Sequence, residues 1–247
     1  MRNIDITTIR FPSIKLERRD AHKLRGFVAN QFSEITELHN HLDDNTNLHA
    51  YPVVQYKVLD GVPTLVGIGR GSRILMSLID KIENIDIDGR VLPVTAREIN
   101  TRNVSIGVGD RVQYYRFDNA WMALNTRNFT RYTGACQSEQ IDVLRRILVG
   151  NILVFLGAFN EFADREVIAV PKVQTSNALF KGLNMMTFRG SFQTNVLLPD
   201  GIGLGKCAAR GFGAIRRDTE PFRTTTRILR PRYRCGRPIY SRSELAR

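Results

Sequence analysis

Histidine is scarce in this 247-residue chain: there are four, at positions 22, 39, 41 and 49, and none follows His49. That excludes any metal or acid–base chemistry needing imidazole from the second half. Cysteine is scarcer still. Cys136, Cys207 and Cys235 are widely spaced and odd in number. They fit neither a disulfide framework nor a zinc knuckle, and point to a reducing compartment, the cytoplasm. A long hydrophobic run is also missing. The most apolar stretch, Ile147 to Phe159, is interrupted by Gly150, Asn151 and Gly157. It is too short to cross a bilayer and predicts a buried helix, so no membrane partner is expected. Met1–Asp5 carries no apolar signal core.

Acid is outnumbered: 36 Lys and Arg against 24 Asp and Glu give a net charge of +12. Such an excess suggests a polyanionic partner, most often nucleic acid. The charge is uneven. Residues 216–247 hold ten Arg and three acids, so more than half of the excess lies in the last 32 residues. The body is only mildly basic, and a local groove must carry any binding. Past Arg217 the Arg-rich chain, with Pro221, Pro231 and Pro238, has no periodicity and is expected to be a flexible arm.

The first hundred residues follow a recognisable order. Residues 5–16 alternate around Ile6, Ile9 and Phe11 and predict a strand. Residues 19–32 place Ala21, Leu24, Val28 and Phe32 at helical spacing, with Asp20 suited to the helix start. Tyr51 to Leu59, Asp60-Gly61, then Pro63 to Ile68 predict a hairpin. A second helix is expected over 71–83 and a last strand over 91–99. This β-α-β-β-α-β order is ferredoxin-like. The second half is similar in outline: strands at 104–106 and 111–124, a long helix at 137–159 with Ile141, Leu144, Ile147, Leu148 and Val154 or Phe155 inward, strands at 167–173 and 183–198, and a short strand at 212–215. A boundary falls near residues 99–103. Domains are therefore expected at 1–100 and 101–217, with an Arg-rich tail at 218–247.

Two glycine signatures stand out. Gly67-Ile68-Gly69-Arg70-Gly71 opens the second helix, where backbone amides suit an anion; a tight turn is the simpler account. Residues 201–213 read G-h-G, five residues, G-h-G, with Lys206 and Arg210 inside. Gly205-Lys206-Cys207 lacks the Ser or Thr of a Walker A loop, and no βαβ unit with a ribose-binding acid follows. Glycines let backbone approach a ligand closely, and the cations add attraction for phosphate.

Leu38-His39-Asn40-His41-Leu42 is the other signature. Imidazole transfers protons near neutral pH, so the pair is an acid/base site, part of a metal site, or incidental. In an extended strand both would face one side. His39, His41 and His49 with Asp43 or Asp44 could hold a metal, but no further His or suitable Cys completes a known spacing. A two-histidine phosphoesterase would need a second H-x-[ST] motif, which is absent. His22, beside Lys23 and Arg25, suits a solvated or nucleic-acid-facing surface, and His49 could orient the pair. Tyr114-Tyr115-Arg116-Phe117 is better explained by one core face and one solvent face than by base stacking.

The chain resembles the CRISPR-associated endoribonucleases that process repeat RNA, the Cas six family. The resemblance rests on Gly203-Leu204-Gly205 and Gly211-Phe212-Gly213. Leu24-Arg25-Gly26-Phe27, Leu38-His39-Asn40-His41, Tyr51-Pro52 and Gln55-Tyr56-Lys57-Val58 are similar to the subgroup b branch. It covers about residues 5–217. It implies an α+β fold of two tandem ferredoxin-like (RRM-like) domains. It also implies metal-independent cleavage of a CRISPR precursor transcript within each repeat, needing no cofactor. The ribose 2′-hydroxyl would attack the phosphate, leaving a 2′,3′-cyclic phosphate and a 5′-hydroxyl end. His39 and His41 match the histidines implicated in that branch. Tyr51 and Lys57 are secondary catalytic candidates. Arg25, Arg189, Gly203, Gly205, Lys206, Arg210, Gly211 and Gly213 are RNA-binding candidates. The expected partners are CRISPR repeat RNA and a CRISPR interference complex, with the chain a monomer or homodimer. The alternative is a non-catalytic tandem RRM-like subunit of a ribonucleoprotein complex.

Overall fold

A computed structural model describes residues 1–39, 41–43, 46–47 and 51–218, with the backbone alone for 41–43 and 46–47. His49, Asp44, Cys235 and the Arg-rich tail from 219 onward lie outside the described residues.

Strand β1 (Arg2–Arg10) buries Ile4, Ile6 and Ile9. A 3-10 turn at Arg18–Asp20 leads into α1 (Ala21–Gln31), which buries Leu24 and Val28. Asp20 does not cap α1 directly; its carboxylate accepts from the Glu17 amide at 3.1 Å and pairs with Lys23. A short helix α2 (Thr36–His39) and two small strands, β2 (His41–Asp43) and β3 (Thr46–Asn47), follow. The hairpin is β4 (Val54–Leu59) and β5 (Val62–Ile68). Its Asp60-Gly61 turn has φ of 52° and 77°, the left-handed pair that a two-residue hairpin demands. Helix α3 (Arg70–Leu78) ends in a 3-10 turn at Ile79–Lys81.

The expected last strand at 91–99 is displaced. Residues 84–93 form a separate hairpin, β6 (Asn84–Ile87) and β7 (Arg90–Pro93), beside α1. Its Asp88-Gly89 turn carries the same positive φ pair. The sheet strand is β8, which runs unbroken from Glu98 to Phe117. Its first half pairs with β1 up to Ile106, and from Gly107 it pairs with another partner. The glycines at 107 and 109 bend the strand instead of ending it, as glycine does where a sheet curls.

The second half continues through α4 (Thr126–Thr133), α5 (Gln137–Ala158), β9 (Ala169–Phe180), β10 (Leu183–Leu197) and β11 (Ile215–Arg217). Residues 118–124 are not a strand; they form a buried connection around Trp121, joined to Phe188 by one bridge. The helix α4, capped by the Asn125 side chain, has no counterpart in the sequence reading. In α5 the inward residues include Val143, Leu144, Leu148, Ile152, Phe155 and Leu156, while Ile141 and Val154 are exposed.

Seven strands form one curled sheet in the order β4-β5-β1-β8-β10-β9, with β11 also paired to β8. Each half has its strands in the spatial order fourth-first-third-second, all antiparallel. That is the ferredoxin-like arrangement twice over, sharing β8. One core runs through both halves, from Ile9, Phe11 and Tyr56 to Trp121, Phe155 and Phe192. Tyr115 and Phe117 face it while Arg116 is exposed, the core-and-solvent alternation expected for that strand.

Candidate functional site

The two halves differ in their second crossover. The first half uses α3. In the second half, residues 198–214 between β10 and β11 form an irregular loop, and it lies against the first half. Its anchors are specific. The Tyr56 amide donates to the Ala209 carbonyl at 3.2 Å, and Tyr56 and Arg210 form a parallel bridge. The loop thus covers the free edge of β4 and satisfies groups that an edge strand would expose. The Gly203 amide donates to Gln55 Oε1 at 2.8 Å, and the Tyr51 hydroxyl donates to the Gly203 carbonyl at 2.9 Å. Asn119 Nδ2 donates to the Gly211 carbonyl at 2.8 Å, and the Lys206 amide to the Met122 carbonyl at 2.9 Å.

Glycine recurs here because neighbours press on the backbone. An added Cβ at Gly213 would sit 2.0 Å from the Leu204 carbonyl oxygen, and φ there is +64°. At Gly205 (φ +87°) it would meet Trp121 Nε1 at 2.7 Å, and at Gly211 (φ +92°) the Ala21 methyl at 2.6 Å. At Gly203 it would meet the Phe212 carbonyl oxygen at 2.8 Å and Lys57 Nζ at 3.0 Å. The intervening Leu204 is fully buried. The pattern is therefore a packing device that presents Lys206 and Arg210 between its two glycine pairs. Gly67 and Gly71 are packing glycines too: a Cβ at Gly71 would lie 2.1 Å from the Val53 carbonyl oxygen.

The loop explains where Tyr51 and Lys57 go. Tyr51 is buried against Phe155 and Phe159, and burial raises its phenol well above the ordinary value. Lys57 is fully buried beneath the loop, its Nζ 3.5 Å from the Ala208 carbonyl. Desolvation lowers its pKa from 10.5 to about 7. Neither side chain offers its polar atom to solvent. Alternation along β4 sends Gln55 and Lys57 to the face that the loop covers. Gln55 belongs to the Gln55-Tyr56-Lys57-Val58 run but is not among the candidate site residues read from the sequence.

Above this buried layer the cations gather. Burial raises the Cys207 thiol above its usual value, opposed by Arg210, Lys206, Lys181 and Arg25 in that order. These four belong to the glycine loop, the β9–β10 turn and α1, so three elements converge their charge on one turn. Arg25 is half-buried, and burial, then the nearby Arg210, pushes its guanidinium below the ordinary value. It donates to the His39 carbonyl, tying α1 to the end of α2. His39 closes α2 and does not lie in a strand, so the expected extended run at 38–42 begins only at His41. His39 Nε2 is buried and has no hydrogen-bond partner among the described residues. His41 lies in β2, and its side chain is outside the described atoms. Arg189 is exposed on β10 and lines a neighbouring cleft that Arg210 also lines. Lys181 was missed, although Lys181-Gly182 between two strands is a legible turn, with φ of 49° and 78°. Among the described residues, no cluster of three His, Cys, Asp or Glu is placed to hold a metal. No described helix is long and apolar enough to cross a membrane.

Comparison with known proteins matches this architecture. The family model for the Cas6b N-terminal domain matches residues 2–105, and that for the Cas6b C-terminal domain matches residues 107–218. A crystal structure of Cas6b is 28% identical, with a TM-score of 0.83, over 88% of this chain and 100% of that one. A second, a CRISPR RNA processing endoribonuclease Cas6b, is 27% identical with a TM-score of 0.73 and the same coverage. An uncharacterized protein of Methanocaldococcus jannaschii is 26% identical over 58% of this chain and 98% of its own length. A Cas6 product complex at 13% identity and a TM-score of 0.55 shares the fold. The chain belongs to the Cas6b family.

Proposed function

We propose that this protein is a metal-independent endoribonuclease that cuts CRISPR precursor RNA within its repeats. The observation that carries the reading is His39. Its Nε2 has no hydrogen-bond partner among the described residues, while Arg25 of α1, bound to its carbonyl, adds its charge to that of Lys206 and Arg210 from the glycine loop. An imidazole whose nitrogen is not committed to another described residue, beside positive charge, is what a phosphodiester cleavage needs.

The chemistry balances without a cofactor. One histidine of the His39 and His41 pair takes the proton of the ribose 2′-hydroxyl as its oxygen bonds to the adjacent phosphorus. The bond from phosphorus to the 5′-oxygen breaks, and the other histidine protonates the leaving oxygen. A 2′,3′-cyclic phosphate and a 5′-hydroxyl result. Positioned acid and base groups each contribute about 10²–10⁴-fold. Arg25, Lys206 and Arg210 supply positive charge to the non-bridging oxygens as they gain charge in the transition state. The Arg25 guanidinium is held by the His39 carbonyl at the end of α2, so it needs little reorganisation during reaction. The product passes to a CRISPR interference complex in the cytoplasm.

The test is incubation with repeat RNA in EDTA. Cutting at one site is expected, with His39→Ala or His41→Ala lowering the rate about 10²–10⁴-fold and leaving RNA binding in place. A 2′-deoxy nucleotide at the cut site should block cleavage, and cleavage that survives it refutes 2′-hydroxyl attack. Binding without cutting would instead favour a non-catalytic subunit. Cutting abolished by EDTA and restored by a divalent ion would favour a metal nuclease.

A further inference from the structure

Beside the glycine loop lies a second cleft, of about 180 Å³, where α1, β9, β10 and the loop meet. It shares Arg210 with the site above and is lined also by Phe180. Its make-up differs from the cation cluster. Phe180, half-buried at the last position of β9, has three ring neighbours. Phe212 meets it edge-on at 5.5 Å, His22 edge-on at 6.0 Å, and the Arg210 guanidinium carbon lies 5.9 Å from its centroid. Arg18, Arg19 and Arg189 stand at the rim, all exposed. The wall includes Asn119, which is buried. Its Nδ2 is committed to the Gly211 carbonyl, so the amide orientation is set, and its Oδ1 has no partner among the described residues. A buried acceptor left unpaired is costly and is satisfied in most native structures.

An aromatic ring, a ring of arginines and an unused acceptor are the three parts of a single-strand nucleotide site. The ring stacks on a base, the arginines hold its flanking phosphates, and the acceptor reads a donor on its edge. We infer that this cleft holds one unpaired nucleobase of the bound RNA against Phe180, its N–H edge toward Asn119, with the adjacent phosphates on Arg19 and Arg189. The inference rests on the ribonuclease reading. It assigns this protein a nucleotide subsite separate from the cut, in which the base presents an N–H donor of its edge to the Asn119 acceptor. The volume suits one base and is below the roughly 300–1,000 Å³ of sites for larger ligands.

An abasic scan tests it. Repeat RNAs, each lacking one base, are titrated against the full chain and against Phe180→Leu and Phe180→Tyr, with melting curves to verify folding. Base stacking of ordinary strength predicts a roughly ten- to hundredfold loss of affinity at one abasic position in the wild-type protein. That loss should disappear in Phe180→Leu and persist in Phe180→Tyr. A base analogue with no N–H donor on its edge (purine or 2-pyrimidinone) at the same position should weaken binding several-fold, and an unchanged affinity would overturn the contact with Asn119. Phe180→Leu binding intact repeat RNA within twofold of wild type would overturn the subsite while leaving the ribonuclease reading in place. So would a Phe180→Leu loss that is equal across all abasic RNAs. A wild-type chain that neither binds nor cuts repeat RNA would refute the ribonuclease reading itself, and the subsite with it.

Discussion

The two halves of this molecule share a strand order and differ in how they return from third strand to fourth. The first half makes the crossover with α3, whose side chains pack on its own sheet. The second half makes it with residues 198–214, which have few side chains large enough to pack and instead reach the edge strand of the other half. A helix satisfies its own backbone. An irregular loop must find partners elsewhere, and this one finds them on β4, Gln55, Tyr51 and Asn119. Besides the shared strand β8 and the common core, a loop in place of a helix thus adds a direct tie between the halves. It also explains why both glycine turns look alike in sequence yet act differently: Gly67 and Gly71 tighten one module, whereas Gly203, Gly205, Gly211 and Gly213 hold a cation-bearing clasp between two.

The comparison can be broken most severely at Gly213. Alanine there meets a carbonyl oxygen at 2.0 Å in a left-handed conformation, so Gly213→Ala should cost about 3 kcal/mol or more. Denaturant melts would show the loss, and RNA affinity per folded molecule should fall with it. Gly67→Ala also meets backbone, at 2.4 Å, and should lower stability but leave RNA affinity of the folded fraction unchanged. Equal effects on affinity would erase the distinction drawn between the two turns.

Lys57 sharpens it next. Its folded-state pKa of about 7 lies below the unfolded 10.5, so between those values the unfolded chain binds more protons. Stability therefore rises with pH through that window, and below about pH 7 the whole penalty of burying the ammonium is present. Lys57→Met should raise the melting temperature, by a margin worth a few kcal/mol near pH 6 and shrinking toward pH 10. A margin independent of pH would show that Lys57 is not buried beneath the clasp.

The smallest effect is expected at Tyr51. Tyr51→Phe keeps the ring against Phe155 and Phe159 but leaves the buried Gly203 carbonyl without its donor, at about 1–3 kcal/mol. Equilibrium unfolding should show the cost with the cleavage position unchanged. A Tyr51→Phe protein of wild-type stability that has lost cleavage would instead assign the hydroxyl to the reaction.

Much of the architecture was legible in local pattern. Asp60-Gly61 between alternating runs announced its hairpin, and the 3.6-residue period of 137–159 announced α5. Periodicity failed where the environment was two-sided. In α5 Ile141 and Val154 are as apolar as their buried neighbours, and only the placement of the sheet left them outside. In β8 the pattern predicts separate strands at 104–106 and 111–124, whereas one strand runs on through Gly107 and Gly109; a glycine that bends a strand and one that ends it are the same residue. The strand expected at 91–99 instead divides between the end of β7 and the start of β8, because length and composition do not say which edge a strand will join.

The candidate site divides the same way. The sequence alone carried the residue types: an imidazole pair, a double G-h-G motif with cations inside, and too few other ligands to make a metal the obvious partner. It also determined the two ferredoxin-like halves, since their order of helices and strands follows from periodicity and turns. Tertiary structure decided what those residues touch. It moved Tyr51 and Lys57 under the loop, because a partner 150 residues away covers their strand. It placed Lys181 and Arg25 beside Arg210, and Phe180 beside His22, because the sheet curls through β8. Local pattern depends on neighbours in the chain, whereas desolvation and converging charge depend on neighbours in space, and these exist only once the two halves have closed on each other.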